Sequence, residues 1–308
     1  MKENSNILIE KSSWLSVNTI GKMIINLFLR SSALISILIT AAICIVLVVE
    51  SSHFLEAVSI TDFLFKTEWS PLIEPRKFGV LPIVWGSLLI SGMAISLSIP
   101  IGLSLAVYLA EYASAKTKKI VKPLIELLAG IPSIVFGFLA ITVVTPILRY
   151  FLPETDFFNA LSASIVVTAM ILPTIVTLSD DAISSVPQAL RDAGFALATT
   201  KSEIVFRQVI PAAMSGIIAS IVLAFSRAIG ETMAVTLAAG ATPNITLNML
   251  ESVQTMTAFI VQASMGDTPH GTIEYYSLFA VAGLLFLITL SLNIFSKMLT
   301  KNVRRKFS

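Results

Sequence analysis

The chain has 308 residues, of which 55% are hydrophobic and only 13% charged, and its mean hydropathy is +0.86. Soluble domains carry about 25% charged residues, so much of this chain must be covered by lipid rather than water. The net charge of +2 is too small to indicate a nucleic-acid partner, and the single cysteine, Cys44, excludes an internal disulfide.

Several apolar segments are long enough to cross a membrane as helices, since a hydrocarbon core of about 30 Å needs roughly 20 apolar residues. The second and third are over-long, so we expect their ends to tilt or to extend into water. The pattern predicts an all-α integral membrane protein of about six transmembrane helices. The segments are, in chain order, Ser32–Val49, Leu81–Leu109, Leu124–Phe151, Leu161–Leu178, Gly216–Ala239 and Tyr275–Phe295.

Basic residues are concentrated on one side of these segments, so the positive-inside rule predicts that both termini are cytoplasmic. We divide the chain into residues 1–79 (cytoplasmic N-terminal segment, first helix and external loop), 80–298 (transmembrane domain) and 299–308 (basic cytoplasmic tail). The predicted cytoplasmic basic residues are Lys2, Lys11, Lys22, Arg30, Lys116, Lys118, Lys119, Lys122, Arg191, Lys201, Arg207, Lys297, Lys301, Arg304, Arg305 and Lys306, and the external ones are Lys66, Arg76, Lys77 and Arg149.

Two long external segments, Ser51–Val80 and Ala241–Glu274, are predicted to be ordered loops or short surface helices. Loops longer than about 15 residues are more often functional or disordered than idle. Docking of an outside partner and plain connection therefore both remain open for these segments.

Three carboxylates lie near the predicted cytoplasmic ends. Glu126 is expected in the first turn of the third helix, where a carboxylate interacts favourably with the helix dipole. Asp180 and Asp181 are expected to end the fourth helix at the water boundary. His53 and His270 have no second ligand at metal-binding spacing, so neither a metal nor another cofactor is predicted.

The segment between the fourth and fifth spans reads DDAISSVPQALRDAGFALATTKSEIVFRQVIPAA. A proline suits the first turn of a helix, and the pattern predicts two short helices outside the bilayer. By itself this could be an ordinary amphipathic connector. The predicted parts are a helix from Pro187 through Gln188–Ala198, a break at Thr199–Thr200, a second helix over Lys201–Gln208, and Pro211 at the start of the fifth span.

This segment, residues 180–211, resembles the EAA loop of ABC importer permeases, in which E-A-A is followed at fixed spacing by G and then by I-x-L-P. The spacing is intact here, and the resemblance implies coupling to an ATPase subunit. The matching positions are Asp192, Ala193 and Gly194 for E-A-A and Ile210–Pro211 for L-P, with Asp192, Ala198 and Gln208 departing from the usual Glu, Gly and Ile.

The departure at Ala198 concerns the turn after the first short helix. Glycine is usual at such a position because it adopts positive φ without strain. Alanine therefore suggests either that no positive φ is needed there, or that Thr199 and Thr200 absorb it.

Arg227 and Glu231 are charged residues inside the apolar fifth span. At 1.5 Å per residue Arg227 lies about 16 Å into the core, where an unpaired arginine costs about 2.5–3.5 kcal/mol. Glu231 is one turn further on, so an i, i+4 ion pair is expected. Either the pair is structural, or Arg227 attracts an oxyanion that Glu231 orients, with Glu231 holding Arg227 when substrate is absent. The other residues of their stripe on a continuous helix are small, namely Gly216, Ser220, Ala224, Ala234 and Ala238.

Further segments resemble the phosphate-specific, PstC-type permeases. The resemblance implies the ABC type I importer (MetI-like) fold in the cytoplasmic membrane of a prokaryote. It also implies phosphate transport, a PstA-like second permease subunit, a cytoplasmic ATPase dimer and an extracytoplasmic phosphate-binding protein, with Arg227 and Glu231 as substrate-path candidates. The segments are Phe78–Ser91, Pro100–Ala113, Ala129–Phe138 and Ser226–Val235.

Two other transport functions compete with phosphate import. A permease for sulfate or molybdate would share the loop and the fold, and a stand-alone secondary transporter would need an internal repeat that the sequence does not show. There is no H-E-x-x-H, G-x-S-x-G or G-x-x-x-x-G-K-[ST] motif. The chain is therefore not expected to be an enzyme, and ATP hydrolysis is expected on partner subunits.

Overall fold

Helices make up most of the chain. The computed structural model describes residues 3–266 and 268–307, and side chains over 22–266 and 268–298. Lys2 lies outside the described residues, and the side chains of Lys11 and of the tail lie outside the described side chains. The helices are α1 (Glu3–Ala57), α2 (Ile60–Phe65), α3 (Leu81–Val107), α4 (Ala115–Gly130), α5 (Ser133–Leu139), α6 (Thr145–Phe151), α7 (Ala160–Ser184), α8 (Gln188–Ala196), α9 (Lys201–Ile204), α10 (Ile210–Ile229), α11 (Met233–Ala238), α12 (Met256–Met265) and α13 (Ile273–Phe307), and the strands are β1 (Trp69–Ser70) and β2 (Lys77–Phe78).

Three π-helical turns interrupt the α-helical geometry, but the helices continue through them. Tyr108–Tyr112 continues α3, Ala140–Val144 joins α5 to α6, and Val205–Val209 joins α9 to α10. The π turns therefore lengthen three continuous helical segments instead of ending them.

Six helical segments of the described chain are long and apolar enough to cross a membrane, which confirms the predicted all-α membrane fold. A seventh apolar helix, α12, has only 10 residues and is too short to span. The six segments are Lys22–Ala57, Leu81–Tyr112, Ser133–Phe151, Ala160–Ser184, Lys201–Ile229 and Ile273–Met298.

The helix α7 lies at the centre of the bundle, packed between α3 and α10. In the most apolar stretch of α7, 61% of the residues are buried inside the chain, against 0% in the corresponding stretch of α1. Small residues on α7, such as Ala163 and Ser164, let the neighbouring backbones approach. Thr168 donates hydrogen bonds from its hydroxyl to the carbonyls of Ser164 (2.7 Å) and Ala94 (3.3 Å), which ties α7 to α3.

The third predicted span is divided in two. The residue before a proline is driven out of helical geometry, and Ile131 before Pro132 has an extended ψ of 128°, so α4 ends at Gly130 and α5 begins at Ser133. The prediction for Glu126 was wrong as a result. It lies near the C-terminal end of α4, whose N-terminus is capped by Ser114 accepting from the Thr117 N–H at 3.1 Å.

The two external segments fold against each other and form one ordered cap. Strand β1 pairs antiparallel with β2, and Trp69, only 3% exposed, packs edge-on against Phe259 of α12 at 4.8 Å between ring centroids. The indole N–H of Trp85 donates to the Thr246 carbonyl at 2.7 Å. The predicted ordered loops and short surface helices are thus confirmed. The buried apolar cluster of the cap also includes residues of α3 and α13, and its members are Phe54, Phe63, Trp69, Val80, Ile83, Met256, Phe259, Ala263, Ala280 and Val281.

Candidate functional site

Arg227 and Glu231 lie on either side of a break in the fifth span. The helix α10 ends at Ile229, Gly230 follows it, and α11 begins only at Met233. The prediction of one continuous helix, and with it the i, i+4 ion pair, was therefore wrong. Although both side chains are described, the ion pairs of the chain do not include one between them.

Arg227 sits in the last turn of α10 with an exposed side chain. A cation at this end of a helix interacts favourably with the helix dipole. Its Nη1 donates to the hydroxyl of Thr174 on α7 at 3.4 Å, a long hydrogen bond that leaves most of the guanidinium donors unused within the described residues. This arrangement can accept an anionic ligand without first breaking an ion pair.

Glu231 instead holds the break together. Its Oε1 accepts from the N–H of Ala234 at 3.3 Å, and its own N–H donates to the Ala228 carbonyl at 3.3 Å. Its backbone carbonyl accepts from the Thr257 hydroxyl of α12 at 2.7 Å. Non-helical backbone at membrane depth survives only where other groups satisfy it, and Glu231 supplies or receives three of those bonds.

The small residues predicted to share the charged stripe serve packing. A side chain at Gly216 would overlap Ala182 of α7, and the hydroxyls of Ser220 and Ser179 are hydrogen-bonded at 2.8 Å. Beyond the break, Ala234 is buried and its Cα would lie 3.0 Å from a Cβ placed on Gly137 of α5. In the structure these small residues allow close packing of α10 against α7 and of α11 against α5.

The loop between α7 and α10 has the predicted helix–turn–helix form, with corrections at both ends of α8 and at Ala198. Pro187 caps α8 from outside the helix, and α8 ends at Ala196. Ala198 has φ +55°, so a positive φ is required there, and the neighbouring threonines do not remove it. A left-handed residue is a common way to end a helix, and here the Thr199 hydroxyl donates to the Gly194 carbonyl at 2.8 Å.

Pro211 does not open the fifth span. The helix already begins at Lys201, after a capping box between Thr200 and Glu203, and continues through the π turn Val205–Val209. Proline has no N–H and its ring crowds the carbonyl four residues earlier. The wider π turn before Pro211 accommodates that defect without ending the helix.

The E-A-A positions divide between the surface and the interior. Asp192 and Ala193 are exposed, and Asp192 accepts from the Gln188 amide at 3.1 Å. Gly194 is buried, and a Cβ there would lie 2.6 Å from Cγ1 of Ile204. The glycine is therefore needed for packing inside the loop itself, between α8 and the start of the next helix.

A part-buried ion pair that sequence reasoning missed anchors the loop. Arg191 contacts Glu111, in the π turn after α3, at 2.7 Å, and the two side chains are 12% and 8% exposed. The signal in the sequence was the placement of a lone carboxylate at the end of an apolar span. Without the fold, nothing connected it to Arg191.

Asp180 is also buried rather than at the water boundary, because α7 continues to Ser184. Its Oδ2 lies 2.5 Å from Nζ of Lys122 on α4, and Asp181 lies 3.8 Å from the same ammonium. The hydrogen bond to Asp180 raises the pKa of Lys122 above its ordinary value, so this ammonium is charged at neutral pH. This pair fastens α4, which has no buried residue of its own, to the central helix.

Comparison with known proteins identifies the group to which the chain belongs. The family described as binding-protein-dependent transport system inner membrane component matches residues 98–305. The chain belongs to this family. The permease is 34% identical over 270 residues to the probable ABC transporter permease protein YqgH of Bacillus subtilis (strain 168), covering 87% of this chain and 85% of that protein.

A second relative of the permease is the phosphate transport system permease protein PstC of Mesorhizobium japonicum, 30% identical over 279 residues and covering 84% of each chain. Among solved structures, a chain of the inward-facing MetNI methionine ABC transporter aligns with TM-score 0.60 at 18% identity, covering 75% of the permease and 99% of that chain. The predicted type I importer fold and the PstC-type resemblance are both confirmed. The relatives are permease components, and the permease is a multi-pass membrane protein.

Proposed function

We propose that this chain is the PstC-type permease subunit of an ATP-driven importer that moves inorganic phosphate across the cytoplasmic membrane. It pairs with a PstA-like second permease, a cytoplasmic ATPase dimer and an extracytoplasmic phosphate-binding protein. Both termini are cytoplasmic, as the distribution of basic residues favours. Residues 180–211 are the contact with the ATPase, which hydrolyses ATP in place of this chain.

The observation that carries the proposal is the exposed guanidinium of Arg227 in the last turn of the fifth span, beside the break at Gly230. An arginine that faces lipid inside a membrane span is costly, so its exposed face belongs against a polar path or a partner subunit. A planar guanidinium offers paired donors that match two oxygens of a phosphate. Among the described side chains no carboxylate pairs with Arg227, so its guanidinium is available for that anion.

The choice of phosphate is supported by the PstC relative at 30% identity over most of the chain. Other tetrahedral oxyanions, such as sulfate and molybdate, would satisfy the same guanidinium. The three anions differ in their hydrogen bonding at neutral pH. Phosphate retains a proton and can donate a hydrogen bond, whereas sulfate and molybdate can only accept.

The test is uptake of radiolabelled phosphate by the assembled importer in vesicles, with and without excess unlabelled sulfate or molybdate. Intact importer should take up phosphate only with ATP inside, and Arg227→Met should assemble yet transport at least about tenfold more slowly. Arg149→Met, at an exposed arginine at the end of α6, is the matched control and should transport normally. Normal uptake by Arg227→Met, or equal inhibition by sulfate and by unlabelled phosphate, would contradict the proposal.

A further inference from the structure

The loop between α7 and α10 is joined to the end of α3 by an arginine, and almost all of its N–H donors are hydrogen-bonded. Arg191 Nε and Nη2 both donate to Oε1 of Glu111, at 3.0 and 2.7 Å. The same guanidinium donates from Nη1 to the Val186 carbonyl at 2.6 Å and from Nη2 to the Ile183 carbonyl at 3.0 Å. One side chain of α8 therefore links the end of α3 and the end of α7.

The segment that carries Glu111 is fixed from other sides as well. The π turn closes with the Ala113 N–H donating to the Tyr108 carbonyl at 2.8 Å. Lys118 of α4 donates to the Ala110 carbonyl at 3.2 Å, and Lys201 of α9 donates to the Glu111 carbonyl. The Lys201 ammonium also lies 4.8 Å from the centroid of the Tyr112 ring. Wider helical turns of this kind are frequent at functional sites.

A buried ion pair is a poor way to gain stability, because desolvation offsets much of the attraction, whereas breaking one partner is strongly destabilising. Such pairs are best attested where they fix one arrangement of neighbouring elements. Apolar side chains of the loop, meanwhile, remain exposed at Leu190 (37%), Phe195 (51%) and Leu197 (74%). These apolar side chains are available for contact with a partner protein.

We propose that Glu111 and Arg191 are positioning residues that make α3 move together with α8 when the ATPase displaces the loop. The proposal rests on the proposed coupling role of residues 180–211. The ATPase displaces the exposed surface of α8, and the Arg191 guanidinium transmits this displacement to the π turn that carries Glu111. Loss of the pair would let α8 follow the ATPase while α3 lags behind, so that ATP is hydrolysed without transport.

The first test measures the distance between α3 and α8 directly. Spin labels at Ser104→Cys and Ala189→Cys, both exposed positions, are introduced in a Cys44→Ser background, which removes the one native cysteine. In the assembled importer the distance distribution should be the same with and without trapped ATP. In the Glu111→Gln variant, trapped ATP should shift or broaden it. A distance that already changes in the unaltered pair, or no difference in the variant, would overturn the proposal.

The second test measures ATP hydrolysed per labelled phosphate transported in vesicles. Coupling between sites typically amounts to about 5- to 150-fold, and Glu111→Gln should raise this ratio about tenfold at unchanged assembly. Glu126→Gln, the same change at an exposed position of α4, is the control and should leave the ratio unaltered. An unaltered ratio in Glu111→Gln would also overturn the proposal.

Assembly is checked first by co-purification with the ATPase. If Glu111→Gln does not assemble, Arg191→Lys decides, because an ammonium keeps the charge but cannot reproduce the planar fork. Failure of both variants to assemble would show that the pair serves folding alone and would overturn the proposal. If phosphate is the wrong substrate, the unaltered importer also fails to take it up, while the spin-label distances still report on the pair.

Discussion

The guanidinium of Arg227 donates to the hydroxyl of Thr174 at 3.4 Å, which joins the last turn of α10 to the middle of α7. This contact orients the arginine without neutralising it. It also places the charge beside the helix that carries the core of the bundle, so the position of the guanidinium follows that of α7.

Replacing Thr174 by valine should weaken anion recognition without removing the charge. A hydrogen bond worth about 1 kcal/mol corresponds to roughly fivefold in affinity, so Thr174→Val should raise the half-saturating phosphate concentration up to about fivefold. Thr177→Val, one turn along α7, is the control and should have no effect. A fall in maximal rate with unchanged half-saturation would contradict this role for Thr174.

Arg227 and Glu231 should act independently. Because their side chains do not pair, the effects of Arg227→Met and Glu231→Gln on uptake should multiply in the double variant, within about 0.5 kcal/mol. Residues in direct contact would instead show a coupling of about 0.5–3 kcal/mol. Uptake rates of the four proteins in one vesicle preparation give the answer, and strong coupling would restore the ion-pair interpretation.

Ala198→Gly should stabilise the end of α8. Left-handed geometry costs a non-glycine residue about 1–2 kcal/mol, and Ala198 has φ +55°. Hydrogen exchange of the α8 backbone amides should therefore slow by at least about fivefold. Ala196→Gly, inside the helix, is the matched control and should speed exchange. Faster exchange in Ala198→Gly would contradict the strain at this position.

Gly194→Ala should disturb the loop from within. Its new Cβ would lie 2.6 Å from Cγ1 of Ile204, so α8 must shift away from the following helix. We expect weaker co-purification with the ATPase, and recovery when Ile204→Ala is added to make room. If the second change does not restore binding, the glycine is required by the ATPase surface and not by Ile204.

The orientation of the chain is open to direct labelling. In a Cys44→Ser background, cysteines at Ile73 (70% exposed) and Leu247 (78% exposed) should react with an impermeant thiol reagent added outside whole cells. A cysteine at Lys116, an exposed position on the opposite side, should react only after the membrane is permeabilised. The reverse pattern would overturn the assignment of both termini to the cytoplasm.

Local sequence alone located the six spans and the loop in their order, but not all of their ends. Hydropathy is a property of neighbouring residues, so runs such as Leu161–Leu178 correctly predicted membrane helices. Pro187 and Thr199–Thr200 located the short helices of the loop, because a helix start and a helix break also depend on neighbouring residues. The predicted functions of Arg227, Glu231 and Asp192 follow from residue type and spacing, and they stay predictions.

Tertiary structure decided everything that depends on a distant partner. The break at Gly230 is held in part by the Thr257 hydroxyl, which binds the Glu231 carbonyl from another helix. Asp180 meets Lys122 only because folding brings α4 against α7. The sequence pattern does not reveal these contacts. The partners that satisfy a charge or a free backbone group are distant in the sequence, and only folding brings them near.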